Sequence, residues 1–102
     1  MALDIKLPPS HPGGYVLHWI IPDGMTITAA AKKLGVSRQS LDAVVNERRS
    51  VSPEMALKLE TVFGGTADVL LRMQTAFDIY NMRKRTAQIT KGLHRYQATV
   101  LA

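Results

Sequence analysis

The stretch that decides the fold runs from Ile27 to Asn46 and reads Ile-Thr-Ala-Ala-Ala-Lys-Lys-Leu-Gly-Val-Ser-Arg-Gln-Ser-Leu-Asp-Ala-Val-Val-Asn. Two short helices that pack at a steep angle need a small residue where their backbones approach, and Ala31 provides one. The turn between them needs a positive φ, which Gly35 adopts without steric cost. Apolar residues recur at spacings that point inward: Ala30, Leu34, Val36, Leu41 and Val44. The stretch is therefore predicted to be a helix-turn-helix.

The outward face of the second of these helices carries side chains suited to reading DNA bases. Arg pairs bidentately with guanine and Gln or Asn with adenine, while a small apolar side chain can lie against the thymine methyl group. We predict that five residues at helical spacing contact bases: Arg38, Gln39, Asp42, Ala43 and Asn46. Asp42 has three open interpretations, because it can accept from cytosine, orient Arg38 or belong to the solvated surface.

Hydroxyl groups and cations around this helix are candidates for contacts to the DNA backbone. Helix N-terminal amides and the Ser or Thr hydroxyls beside them are natural phosphate ligands. The predicted phosphate contacts are Thr28, Lys32, Ser37, Ser40, Arg48 and Arg49. For each cation the alternative is an ordinary solvated side chain.

Start and stop signals divide the rest of the chain into further helices. The first is expected after Pro12, with Tyr15, Val16, Trp19 and Ile20 on its apolar face, and it ends before Pro22-Asp23-Gly24. Thr26 or Thr28 is expected to cap the second helix and Ser37 the third. Ser52-Pro53-Glu54 opens the fourth, and Thr66 is expected to cap the fifth. Aromatic side chains on these apolar faces, Trp19 among them, are assigned to core or dimer packing.

These elements predict one all-α domain of five helices. We assign residues 1–11 to an N-terminal arm, 12–85 to the helical domain and 86–102 to a basic tail. The structure of the tail stays open. Ile89, Leu93 and Tyr96 can continue a helix, whereas the stretch from Ala98 to Leu101 equally suits a short strand.

Composition narrows the class of protein. A chain of 102 residues with 46% hydrophobic and 21% charged residues is typical of one folded domain. The absence of cysteine excludes disulfides and thiolate metal sites and fits a reducing cytoplasm. No apolar stretch reaches the ~20 residues of a membrane span, so we expect a soluble, cytoplasmic protein with no membrane partner. The net charge of +5 suits a polyanion, but charge alone leaves a solvated basic surface equally open.

No arrangement of residues indicates catalysis. His11, His18 and His94 are scattered, without a carboxylate at ligand spacing, so no metal site is predicted. The serines lie in capping or surface contexts, without the Gly-x-Ser-x-Gly pattern of a hydrolase. We therefore expect neither an enzyme nor a cofactor. His11, beside Pro12, is expected to cap the arm against the first helix.

Three further motifs make a family recognisable. In order along the chain they are His11-Pro12-Gly13, then Val51-Ser52-Pro53-Glu54-Met55-Ala56-Leu57-Lys58-Leu59 after the helix-turn-helix, and Met73-Gln74-Thr75-Ala76-Phe77-Asp78-Ile79-Tyr80. With them, residues 10–82 resemble the HigA-type antitoxins of the Xre/lambda-repressor-like helix-turn-helix superfamily. The three motifs together are much more specific than the helix-turn-helix alone.

The resemblance implies a dimeric bacterial repressor that binds a palindromic operator in its own promoter and neutralises a HigB/RelE-like ribonuclease toxin. Base contacts in that family come from the helix matched by Ser37–Asn46. Dimerisation commonly involves the last helices, which implies an interface at Val69, Leu70, Met73, Phe77 and Tyr80. Two alternatives stay open: a stand-alone Xre-family regulator without a toxin, or a protein that chiefly inhibits a ribonuclease.

The chain departs from the family pattern at three places. Many members have Asn-Gly-Lys or Asn-Gly-Arg after the recognition helix, where this chain has Asn46-Glu47-Arg48-Arg49. Glu47 therefore weakens the expected phosphate contact of that loop. Val69 replaces an aromatic residue that often precedes Leu70. The tail cations Arg83, Lys84, Arg85, Lys91 and Arg95 match no family function.

Overall fold

The computed structural model describes residues 7–98, and within that range the secondary structure is entirely helical. Helix α1 spans Pro12–Tyr15 and continues as a π-helical turn over Val16–Ile20. The remaining helices are α2 (Ile27–Leu34), α3 (Arg38–Val45), α4 (Pro53–Phe63), α5 (Ala67–Arg83) and α6 (Thr86–Ile89). The all-α prediction is confirmed, and α6 adds one short turn to the five expected helices.

The tail is described only in part. Residues 90–98 follow α6 without regular structure, and every residue from Met82 to Ala98 is exposed. The strand expected as one alternative for Ala98–Leu101 falls mostly outside the described residues, as does most of the N-terminal arm.

The predicted caps of the three central helices are confirmed. Thr26, rather than Thr28, caps α2, because its Oγ1 accepts a hydrogen bond from the Ala29 amide at 3.1 Å. Ser37 caps α3 through the Ser40 amide and Ser52 caps α4 through the Met55 amide, each at 3.1 Å. Gly35 ends α2 with a φ of +69°. Hydroxyl caps and a left-handed glycine therefore set the bounds of the helix-turn-helix.

The predicted cap of α5 is wrong. Thr66 makes no side-chain hydrogen bond at the start of that helix. Glu60, one turn before the end of α4, reaches across the intervening turn, and its Oε2 accepts from the Ala67 amide at 2.6 Å. A carboxylate at a helix N-terminus also interacts favourably with the helix dipole. The cap is thus supplied by the preceding helix and not by the residue next to α5.

Trp19 is not in the core. The chain widens to a π-helical turn after Tyr15, with the Ile21 amide donating to the Val16 carbonyl at 2.9 Å. Val16 and Ile20 of this turn are buried, whereas Trp19 is 79% exposed. Core packing of Trp19 is therefore wrong, and its packing in a dimer stays a prediction.

One apolar core is formed by the π-helical turn and by helices α2, α3, α4 and α5, and it sets the orientation of α3. Its largest fully buried side chains are Leu41 of α3, Leu59 of α4, Leu70 of α5 and Val16 and Val44. The inward residues predicted for the helix-turn-helix are confirmed, with Val36 packed at the margin of this core. Among residues 7–98, no helix is both long and apolar enough to cross a membrane.

Candidate nucleic-acid interface

Helix α3 presents a polar face while its apolar face holds it in the core. Leu41, Val44 and Val45 are buried, whereas Arg38 and Gln39, in the first turn, are exposed. None of the eleven residues predicted to contact bases or phosphates is buried. An exposed, polar first turn on a rigidly packed helix is the arrangement with which helix-turn-helix proteins enter the major groove.

The first residues of α1 and the residue before them position the C-terminal end of α3. Pro12 and Gly13 open α1, and Gly13 lies so close to Val44 that a Cβ at this position would overlap the Val44 carbonyl oxygen. His11 is buried and is the N-cap of α1, its Nδ1 accepting from the Gly13 amide at 2.9 Å. Its ring also packs edge-on against Phe77 of α5, with centroids 5.2 Å apart. His11 and Gly13 thus link α1, α3 and α5.

Sequence reasoning did not assign Gly13 a role in positioning α3. The only signal in the sequence was its place in the His-Pro-Gly motif.

Asp42 organises the second turn of the face. Its Oδ2 accepts from Arg48 Nη2 at 2.6 Å, and its Oδ1 accepts from Asn46 Nδ2 at 3.1 Å. Asp42 therefore holds one predicted base-reading residue and one predicted phosphate contact. Its partners are these two residues and not Arg38, which was one of the expected alternatives. Both groups of the ion pair are partly exposed, so its net contribution to stability is small.

Three of the predicted phosphate contacts form a second network. Ser37 Oγ donates to Ser40 Oγ at 2.8 Å, and Arg49 Nη1 donates to the same Ser40 oxygen at 3.3 Å. This network links the N-terminus of α3 to the loop that follows the helix. The two hydroxyls and the guanidinium are therefore held together at one edge of the exposed face.

The loop after α3 contains a residue other than glycine with a positive φ. The Arg48 amide donates to the Ala43 carbonyl at 2.8 Å and the Glu47 amide donates to the Val44 carbonyl at 3.0 Å, which is the hydrogen bonding of a helix C-terminus closed by a left-handed residue. Glu47 occupies that left-handed position with a φ of +64°. Family members with Asn-Gly-Lys or Asn-Gly-Arg place glycine here, so the departure at Glu47 carries a backbone cost as well as a negative charge.

A buried glutamine anchors the far end of this loop. Gln74 of α5 is 5% exposed, and its Oε1 accepts from the Val51 amide at 2.8 Å. Its Nε2 donates to Asp78 Oδ1 at 3.0 Å. Sequence reasoning placed apolar residues on the inner face of α5 and missed Gln74, whose only signal was its place in the third motif. Without Gln74 the buried Val51 amide would lose its partner.

Thr28 and Lys32 lie on α2, apart from these networks. Both are exposed, and Thr28 follows the capping Thr26 by two residues. They belong to the helix that crosses the DNA backbone in proteins of this architecture. Of the predicted phosphate contacts, the structure therefore joins Ser37, Ser40 and Arg49, and leaves Thr28 and Lys32 on the neighbouring helix.

The five residues predicted for a dimer interface differ in exposure. Val69 and Tyr80 are exposed on one side of α5, and Met73 and Phe77 are half-buried. Leu70 is only 1% exposed, because it packs into the core of the chain itself. Leu70 is therefore inaccessible to a second chain, and the other four side chains form the accessible part of this side of α5.

Comparison with known sequences places this geometry among related proteins. The helix-turn-helix family model matches residues 21–70. "Virulence-associated protein I" of Dichelobacter nodosus is 37% identical over 75 residues, which cover 72% of this chain and 69% of the relative.

Solved structures of antitoxins have a fold similar to that of this chain. An addiction module antidote protein of the HigA family from Coxiella burnetii is 31% identical with a TM-score of 0.70, and the match covers 88% of this chain and all of that one. The antitoxin GraA in complex with its operator is 29% identical with a TM-score of 0.74, covering 95% of this chain and all of GraA.

Proposed function

Since the chain belongs to the Xre-like helix-turn-helix family that includes the HigA antitoxins, we propose that it is a cytoplasmic, non-enzymatic repressor and antitoxin. In this proposal a homodimer binds a palindromic operator in its own promoter. The same protein neutralises a HigB/RelE-like ribonuclease toxin encoded beside it. The GraA structure with its operator supports the DNA-binding part.

The exposed first turn of α3 is the observation that carries the proposal. Arg38 and Gln39 are exposed, and Ser37 caps the N-terminus of α3 just before them. Gly13 of α1 packs closely against Val44 near the C-terminus of α3. A rigid helix loses little conformational entropy when its side chains meet base edges. In this assignment Arg38, Gln39, Ala43 and Asn46 read bases. Asp42 is a positioning residue that holds Asn46 and Arg48.

Fluorescence anisotropy with a duplex from the native promoter and a scrambled duplex tests this assignment. Arg38→Ala is expected to weaken binding to the promoter duplex by roughly 5- to 150-fold, the equivalent of one bidentate base contact of about 1–3 kcal/mol. Binding to the scrambled duplex should change far less. Lys33→Ala is the control, because Lys33 is an exposed cation of the neighbouring helix α2. Equal binding of the unaltered protein to both duplexes would contradict the proposed operator recognition.

The antitoxin role rests on the family relationship, and a separate experiment tests it. Mixing the protein with the product of the adjacent gene should give a complex on size exclusion and should inhibit ribonuclease activity. A chain that binds its promoter but forms no complex is a stand-alone regulator. A chain that forms the complex but does not distinguish the promoter is chiefly an inhibitor.

A further inference from the structure

The excess positive charge of the chain is confined to its C-terminal segment. The sequence has 13 Lys and Arg and 8 Asp and Glu, and all the acidic residues lie at or before Asp78. Five cations follow that position: Arg83, Lys84, Arg85, Lys91 and Arg95. Residues 1–78 are therefore neutral overall, and the entire net charge of +5 belongs to the part of the chain after Asp78. The helix-turn-helix itself, Ile27–Asn46, has three cations and one acid, and the acids elsewhere in residues 1–78 balance this local excess.

The start of this segment adjoins the loop that follows α3. Gln74 of α5 holds the Val51 amide at 2.8 Å, so the loop ends against the middle of that helix. A cleft of about 400 Å³ lies between the loop and the C-terminal end of α5. It is lined by Ser50 of the loop, by Asp78, Asn81 and Met82 of α5, and by Arg85, which follows α5. Ser50 directly follows Arg48 and Arg49. Arg85, at the start of the C-terminal segment, therefore lies beside the loop that carries Arg48 and Arg49.

Local roles account for some of these cations but not for all. Arg83 and Lys84 lie at the C-terminus of α5, where positive charge stabilises the helix dipole. Lys84 also lies over the Tyr80 ring, with Nζ 4.8 Å from the centroid, and Arg85 Nε donates to Gln88 Oε1 at 3.4 Å. Lys91 and Arg95 are exposed, and neither forms a salt bridge with a residue in the described range 7–98. Their charge has no structural use within this part of the chain.

We propose that the segment from Arg85 to Arg95 is a second DNA-binding element, which contacts phosphates beyond those reached from α3 and its loop. The inference rests on the proposed operator binding and assigns an additional part of its electrostatic free energy to Lys91 and Arg95. DNA binding gains free energy when cations displace condensed counterions from phosphates. An exposed segment that carries cations and no acid adds to the gain from the phosphate contacts predicted for the helix-turn-helix and its loop.

The salt dependence of DNA binding tests the proposal. The variant Lys91→Gln/Arg95→Gln should reduce the slope of log K against log salt concentration by about 0.9 for each phosphate that is no longer neutralised, or about 1.8 per bound chain. Affinity should fall by a similar factor on the promoter duplex and on the scrambled duplex, so that their ratio is preserved. The control variant Lys33→Gln/Arg72→Gln removes the same charge from exposed positions on α2 and α5 and should leave the slope unchanged.

Two results would overturn the proposal. An equal reduction of the slope in the tail and control variants would mean that only the total charge matters, and an unchanged slope in both would mean that the tail contacts no phosphate. An unchanged slope with a shift in sedimentation would assign the segment, with its exposed Ile89, Leu93 and Tyr96, to contacts with a second copy. The test is independent of operator recognition, because the slope is also measured on the scrambled duplex. If the unaltered protein does not prefer the promoter, the proposed function fails while the role of the tail is still decided.

Discussion

Glu47 is a position where one residue limits both stability and DNA affinity. A residue other than glycine in the left-handed conformation costs roughly 1–2 kcal/mol, and glycine recovers part of this after its own greater loss of backbone entropy. Glu47 has a φ of +64° and closes the C-terminus of α3 between Asn46 and Arg48. Strain and negative charge therefore coincide beside the predicted phosphate contacts.

Glu47→Gly is expected to raise the free energy of unfolding by about 0.5–1 kcal/mol, equivalent to a Tm increase of about 3–6 °C for a domain of this size. Thermal denaturation followed by circular dichroism measures it. Glu47→Ala separates the two effects, because it removes the charge and keeps the strained backbone. Both variants should bind DNA more tightly than the unaltered protein, but only the glycine variant should be more stable. Equal stability of the two would show that the turn is not strained.

At the scale of helices, the contact between α1 and α3 is made through Gly13. A methyl group on Gly13 has no room beside the Val44 carbonyl, whereas a methyl group on Gly14, the next residue, would have no heavy atom within 4 Å. Two adjacent glycines of one helix thus have opposite packing environments. They form a matched pair for testing how closely the two helices must approach.

Gly13→Ala should destabilise the fold by about 3 kcal/mol, since the new methyl group must separate α1 from the end of α3 or distort both. Gly14→Ala should be neutral or slightly stabilising, because alanine favours the helix. Urea denaturation measures both. The displaced α3 in the Gly13 variant should also bind the promoter duplex less tightly. A Gly13 variant as stable as the Gly14 variant would contradict the proposed close contact.

The elements that sequence reasoning predicted correctly are those set by local interactions. Thr26, Ser37 and Ser52 cap their helices through amides three residues ahead, and Gly35 ends α2 within the same short range. A pattern over four or five residues is enough to predict these features.

The features that were missed depend on distant parts of the chain. Glu60 caps α5 from the previous helix, and Gln74 satisfies an amide 23 residues earlier. Trp19 was assigned to core or dimer packing, and its exposure excludes only the core, since local spacing does not show which of two adjacent apolar stripes faces the rest of the chain. For the candidate site, the exposed face of α3 followed from periodicity, but the partners of Asp42 depend on the path of the loop after the helix.

At the scale of the whole molecule, the side of α5 with Val69, Met73, Phe77 and Tyr80 is the proposed dimer interface. A second apolar strip, with Ile79 and Met82, lies on another side of the same helix and adjoins Ile89 of α6. Each of the two sides is a candidate for the dimer interface. Only the first lies next to His11 and α1, through the contact of His11 with Phe77.

Val69→Asp should convert a dimer into monomers, because a charge cannot be desolvated in an apolar interface without a partner. Ile79→Asp is the matched control on the other side of α5 and should leave the dimer intact. Sedimentation velocity distinguishes the two states. Dissociation by the Ile79 variant alone would assign the interface to the second strip. Because two half-sites are read together, the Val69 variant should also lose affinity for the palindromic operator.

The exposed Trp19 of the π-helical turn also gives the protein an intrinsic fluorescent probe. Trp19 is the only tryptophan in the chain, and its indole is already mostly in water in the folded state. Its emission should therefore change little on unfolding, so that far-ultraviolet dichroism is the better measure of stability. A protein partner that covers α1 would shift the emission to shorter wavelength, whereas DNA bound at α3 would leave it nearly constant. The intrinsic fluorescence thus distinguishes which face of the molecule is occupied.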